Sequence, residues 1–214
     1  MRVRRALVVA LTVFVTGCGG GVEGTAVPAP SGGLESVLLS DVQLDDLLHT
    51  SGFHSDPDVK EFSDELAKGT RPPGCVQTVG IADRNLYRDA GPTAVITRSS
   101  GSPAGSVDQS VVVVRSATGA QHILDMSKLS WDVCVDVAVT TGGNAPATWR
   151  LEPVEAADGI PTQRATRSDR VGEKCQHAMA VAVATVVEAM VCGPNVTNEA
   201  FTVVAQMAKN ADRT

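Results

Sequence analysis

Few side chains in this sequence can do chemistry. There are five cysteines (Cys18, Cys75, Cys134, Cys175, Cys192) and four histidines (His49, His54, His122, His177). A thiol serves as a nucleophile when a base activates it, as a metal ligand when other ligands lie close, or as half of a disulfide. No C-x-x-C pair occurs; only Cys175, with His177 two residues on, has ligand-like spacing. H-E-x-x-H, S-x-x-K and a phosphate-binding glycine loop are all absent. Gly101-Ser102-Pro103-Ala104-Gly105 places its serine one residue early for a nucleophile elbow. We therefore expect no catalytic residue, no cofactor and no metal ligand. Among the histidines, His177 is the candidate ligand contact, or a base paired with an acid such as Glu188. The plainer reading makes it a strand residue hydrogen-bonded near a disulfide, or simply exposed. His122 and Asp125 read as a solvated helix face. Asp41, Asp45 and Asp46 read as a charged helix N-terminus, without the loop spacing of an EF-hand. Trp131 and Trp149 read as core or sheet-face residues.

Composition narrows the function classes. The 214 residues carry 18 Lys+Arg against 24 Asp+Glu, for a net charge of −6, with 43% hydrophobic and 3% aromatic residues. That apolar fraction suits a folded domain. The acidic balance and scarce aromatics argue against a nucleic-acid binder. No segment beyond residue 17 is long and apolar enough to span a bilayer.

Cys18 has a context of its own. Arg2, Arg4 and Arg5 precede a ten-residue apolar run, and Val15-Thr16-Gly17-Cys18 follows. This is the pattern of a secretory signal peptide over 1–17, too short to be a membrane span. The last four residues resemble the bacterial lipobox, which implies lipidation of Cys18 and cleavage before it. Removal of 1–17 would leave 197 residues and a side-chain charge of −9, since three arginines and no acid would be lost. An acidic body is repelled by an anionic membrane, so the expected membrane partner is reached through the lipid. Residues 18–33 hold the lipidated Cys18 and a flexible tether, with six Gly and two Pro among residues 19–33. Such a tether reaches on the order of 20 Å. The folded domain is expected over 34–214.

The other four cysteines form an even set in an exported chain, which reads as two disulfides with three possible connectivities. Cys175 and Cys192 stand 17 residues apart. One helix would hold their Cα atoms about 25 Å apart, whereas a disulfide needs about 4.4–6.8 Å. Bonding would therefore require a hairpin over 175–192. The valines favour strands; the alanines, and the lack of Gly or Asn in the middle, do not.

Ser40 is placed to cap a helix over 41–48. Asp56-Pro57 resembles a second helix start, with Val59, Phe62 and Leu66 at helical spacing before Gly69. Residues 71–80 read as a loop pinned by Cys75. Residues 93–98 and 107–115 read as strands joined by a turn-rich stretch, the second central because Val111 to Val114 is a continuous β-branched run. A helix is expected over 118–129 with Ile123, Leu124 and Met126 inward. Strict alternation then predicts a half-buried strand over 131–140. A turn at 142–144, strands at 148–154 and 161–167, and a last helix capped by Thr197 complete the reading. That last helix is expected to bury Phe201, Val204, Ala205 and Ala208. The order implies an α+β fold, with helices packed against a largely antiparallel twisted sheet and two disulfides.

Several motifs then point to a family. Glu173-Lys174-Cys175-Gln176-His177-Ala178-Met179, the apolar stretch after it, Cys192-Gly193 and the closing amphipathic helix resemble the PknH-like extracellular sensor domains, which recur in lipid-anchored proteins of mycobacteria. Arg71-Pro72-Pro73-Gly74-Cys75 with Tyr87, and Trp131-Asp132-Val133-Cys134, extend the resemblance over about residues 36–212. The resemblance implies pairing of Cys75 with Cys134 and of Cys175 with Cys192. It also implies a sensor-type domain that captures a small or cell-wall-derived ligand in a cleft, without catalysis. The chain departs from the family at residues 182–185, where an Asn is common. It shows no kinase domain, so it is not expected to signal across a membrane by itself. An accessory role, binding another envelope protein through an exposed surface, is the alternative. A hydrolase reading lacks a nucleophile motif.

Overall fold

Ser40 does cap the first helix. Its hydroxyl accepts from the Gln43 N–H, and the Gln43 side chain accepts from the Ser40 N–H in return. The computed structural model describes residues 33–142, 146–169 and 172–213. The expected signal peptide, Cys18 and the tether as far as residue 32 lie outside the described residues, as do Gly143 and Asn144 of the expected turn.

In chain order the elements are α1 (Asp41–Leu47), β1 (His54–Ser55), α2 (Glu65–Gly69), α3 (Arg84–Tyr87), β2 (Pro92–Ser102), β3 (Gly105–Val114), α4 (Ala117–Val133), β4 (Ala138–Thr141), β5 (Ala147–Leu151), β6 (Glu155–Ala157), β7 (Ile160–Arg167), β8 (Lys174–Ala182), β9 (Thr185–Gly193) and α5 (Glu199–Ala211). A 3-10 turn spans Pro73–Thr78. The strands form one antiparallel sheet in the order β1-β2-β3-β9-β8-β7-β5-β4, with β6 paired to β7. The fold is thus α+β with a largely antiparallel sheet.

Alternation along the central strands divides the side chains between two helical layers. Val111, Ala178, Val187 and Ala189 face α1 and α5, where Leu44, Val203, Val204 and Met207 complete the core. Val112, Met179 and Val186 face α3 and α4, against Tyr87, Ile123 and Trp131. Consecutive residues of β8 therefore do different work. Gln176 turns to the first layer and accepts from the Ala200 N–H at the start of α5, while His177 turns to the second. Gln109 on β3 fastens the segment before α1 by donating to the Leu39 carbonyl and accepting from its N–H.

One disulfide staples the sheet and a second ties the 3-10 turn to α4. Cys175 and Cys192 sit opposite each other in the β8–β9 ladder. Cys75, in the 3-10 turn, joins Cys134 at the end of α4. The β8–β9 hairpin forms without Gly or Asn: Val183 takes a positive φ of 54° at its tip and stands 59% exposed. Gly105 is needed at the other hairpin. Its φ is 149°, and a Cβ there would lie 2.0 Å from the Cys192 carbonyl oxygen.

Several expectations are corrected. Residues 56–63 are not helical; they run along the edge of β2, where the Val59 and Thr97 backbones exchange hydrogen bonds and Asp56 N–H donates to Ser99. The edge of β2 offers unpaired backbone groups, and Arg98 grips Asp58 with two 2.7 Å contacts. Only Glu65–Gly69 is helical there. The strand expected over 131–140 is divided: 131–133 finish α4, 134–137 turn, and only 138–140 enter β4. α4 continues to Val133 because Ala120, Ile123, Leu124, Ser127 and Trp131 make one buried stripe, leaving Val133 78% exposed. Only β4 survives as strand, and Met126 faces outward. The last helix is capped at Asn198, one residue after Thr197, with the Glu199 carboxylate accepting from both N–H groups. β5 ends at Leu151, and the β6–β7 hairpin was not expected.

Candidate binding site

The α4 side of the sheet carries a row of polar side chains in an otherwise apolar layer. Glu188 stands at its centre, in the middle of β9 and 1% exposed. The strand register sets Ser110 of β3 beside it, and the Ser110 hydroxyl reaches Glu188 Oε1 at 3.3 Å. The Ala82 N–H donates to the same oxygen at 3.3 Å, and so does the Tyr87 hydroxyl from α3. His177 Nε2 meets the other carboxylate oxygen at 3.2 Å. A buried carboxylate is tolerated only when its lone pairs are occupied, and four partners do so here.

Burial, reinforced by the neighbouring Glu188, holds the Tyr87 hydroxyl well above its ordinary pKa, so it remains a donor. Burial also raises the Asp83 carboxyl, against the opposing pull of backbone N–H groups at Asn85 and Leu86. Asp83 caps α3 by accepting from Asn85, which fixes the helix that delivers Tyr87.

The indole of Trp131 packs on the His177 ring with centroids 4.6 Å apart, and its Nε1–H donates to the Gln77 carbonyl. His177 is 1% exposed, and its Nδ1 has no hydrogen-bond partner among the described residues. Serine, histidine and glutamate thus meet, but in the wrong order for acyl transfer. Glu188 stands between the other two, and all three are shut from solvent.

The polar row continues outward into a cleft of about 480 Å³. Two residues along β3 from Ser110 comes Asp108, and two along β9 from Glu188 comes Met190; with Thr97 and Ser99 of β2 they make the floor. The segment around Phe62, Leu66 and Ile81 makes the walls. Ala82 belongs to both features: it lines the cleft and donates its N–H to Glu188. Burial raises the Asp108 carboxyl above its usual range; a hydrogen bond with the Ser99 side chain opposes this, and the charge of Asp56 adds to it.

The residues singled out in the sequence are thus divided. His177 and Glu188 are brought together, with His177 inside the protein and away from the cleft lining. Asp41 and Asp45 spend their carboxylates on N–H groups of Gly52, Phe53 and Ser55. Asp125 accepts from Gln121, and Trp149 lies under the Arg167 guanidinium. Asp108 and Ser110 were not singled out. A single acid interrupting an apolar strand was the available signal for Glu188, whereas Asp108 sits among Ser106, Gln109 and Ser110 and has no such signal.

The profile of the PknH-like extracellular domain matches residues 29–210. The chain belongs to this family. The serine/threonine-protein kinases PknH of Mycobacterium bovis and Mycobacterium tuberculosis are each 27% identical to it over 146 residues. The match takes in 66% of this chain but only 24% and 23% of those kinases, so the chain corresponds to about a quarter of their length. The crystal structure of the extracellular domain of PknH from Mycobacterium tuberculosis superposes with a TM-score of 0.80 at 22% identity, covering 88% of this chain and 99% of that domain. The fold is therefore that of the PknH extracellular domain. Among the described residues no helix is long and apolar enough to cross a membrane.

Proposed function

We propose that this member of the PknH-like extracellular domain family is a sensor-type binding protein of the cell envelope. It is held to the outer face of the membrane by lipid on Cys18 and captures a small or cell-wall-derived ligand without chemical change. The observation that carries this reading is the cleft over Asp108. Its volume of about 480 Å³ falls within the roughly 300–1,000 Å³ of small-molecule sites. It combines apolar walls with a few polar groups on a floor of paired strands, and the buried network around Glu188 makes that floor rigid. Among the described residues no histidine lines the cleft, so a non-covalent role suits it better than hydrolysis.

The test is native mass spectrometry of protein purified from an envelope. A reproducible added mass is expected, lost on denaturation and lost in Ile81→Trp, which fills the cleft from its wall. A bare chain mass, or an adduct indifferent to Ile81→Trp, would overturn the reading.

A second reading has one observation in its favour. Met126, Leu129 and Val133 form a stripe along α4 and are 46%, 61% and 78% exposed. A stripe of this kind suits contact with a protein partner.

A further inference from the structure

We infer that the ligand of the cleft over Asp108 is a cation: an amine or other positively charged group carried on an apolar body. The inference rests on the cleft being the ligand site and adds the chemical class of what it takes. Among the described residues that line it, Glu61, Asp64 and Asp108 are acids and none is a base.

The nearby cations are held by partners other than Asp108. Lys68 lies 3.2 Å from Asp64 on the outer side, with both side chains more than half exposed. The Arg84 guanidinium donates to the Phe62 carbonyl and stands over the Phe62 ring. Arg98 is committed to Asp58. Asp108 therefore lies half-buried on the floor with a hydroxyl partner, Ser99, and no counter-charge among the described residues.

An anionic ligand would meet Asp108 and Glu61, since only Asp64 of the three acids is paired with Lys68. A neutral apolar ligand would take water from Asp108 and give no charge in return. A cation supplies the missing counter-charge, while Phe62, Leu66 and Ile81 accept its apolar body. The cavity of about 490 Å³ beside α5 is different: it carries both Lys209 and Asp158 and shows no such bias.

The test uses three probes of one shape: benzylamine, benzyl alcohol and benzoate. Each is titrated at neutral pH into the full chain held in detergent, with the backbone amides of Ala82, Thr97 and Met190 followed by NMR. Benzylamine is expected to shift these amides at concentrations at least fivefold below benzyl alcohol, and benzoate to leave them unmoved. Asp108→Asn should weaken benzylamine about tenfold and leave benzyl alcohol unchanged. Glu61→Gln, an exposed rim change that cannot unfold the domain, should weaken it about twofold. Equal or stronger shifts from the alcohol or the benzoate would overturn the cation inference and leave the cleft as a binding site. Amine binding indifferent to both substitutions would also overturn it. If no probe moves the cleft amides, the cleft reading itself fails.

Discussion

The Tyr87 hydroxyl donates to the Glu188 carboxylate, joining α3 to the middle of β9 across 101 residues of sequence. Ser110, His177 and Ala82 complete the shell around the same carboxylate. The floor of the cleft is the outward continuation of these strands, so the shape of the cleft depends on this contact.

Tyr87→Phe keeps the ring and removes the donor. It should destabilise the domain by about 1–3 kcal/mol, the usual cost of leaving a buried charged acceptor short of one partner. Urea denaturation measures this, and an unchanged midpoint would mean that the contact contributes nothing net.

Gln109→Ala should cost a similar amount, about 1–3 kcal/mol, for a different reason. It strands the buried N–H of Leu39 and leaves its carbonyl only the longer 3.4 Å contact from Arg98. Faster hydrogen exchange at Leu39 would locate the loss.

The two disulfides should differ in weight. Their sequence separations are 59 for Cys75–Cys134 and 17 for Cys175–Cys192. On loop-closure arithmetic these correspond to about 4 and about 3 kcal/mol. Cys175→Ser should therefore be the milder single loss, and a non-reducing peptide map should still show Cys75 joined to Cys134. A Cys75→Ser variant more stable than Cys175→Ser would contradict that ordering.

Asp108 should make stability fall as pH rises. Its folded-state pKa is raised above 3.8 by burial, so just above that pH the folded chain holds a proton that the unfolded chain has released. Stability is then lost as pH climbs through the folded-state value. Asp83 acts in the same direction. Exposed Asp169, lowered to about 2 by Arg167, acts oppositely, its small contribution fading as pH drops from 3.8 towards 2. Thermal melts between pH 4 and 7 should show a shallower decline for Asp108→Asn than for the parent.

Cys18→Ala should release the protein from the membrane fraction. One lipidated cysteine is the proposed attachment, and the acidic body offers no electrostatic substitute. Detergent-phase partitioning that persists in the variant would contradict the anchor.

Local chemistry was legible wherever one residue type forces one conformation or where burial is continuous. Ser40 predicts its helix cap, and the β-branched run at Val111 predicts a central strand. The motif around Cys175, Gln176 and His177 leads to the family and its α+β fold, and Glu188 could be named as a partner for His177. The residues from Trp131 to Thr140 were misleading. Their period of two is real, but Trp131 and Cys134 are drawn to the 3-10 turn around Cys75, and one more turn of helix is what brings them there. The edge segment at Val59 was misread for the same reason, since the open side of β2 and the grip of Arg98 on Asp58 outweigh helical spacing. The cleft over Asp108 was not legible at all. Its lining comes from segments 59–66, 79–82, 97–99, 108 and 190, and only strand register makes neighbours of them. Short-range patterns record which conformations a segment favours; which distant backbones and charges it must satisfy is known only once the chain has packed.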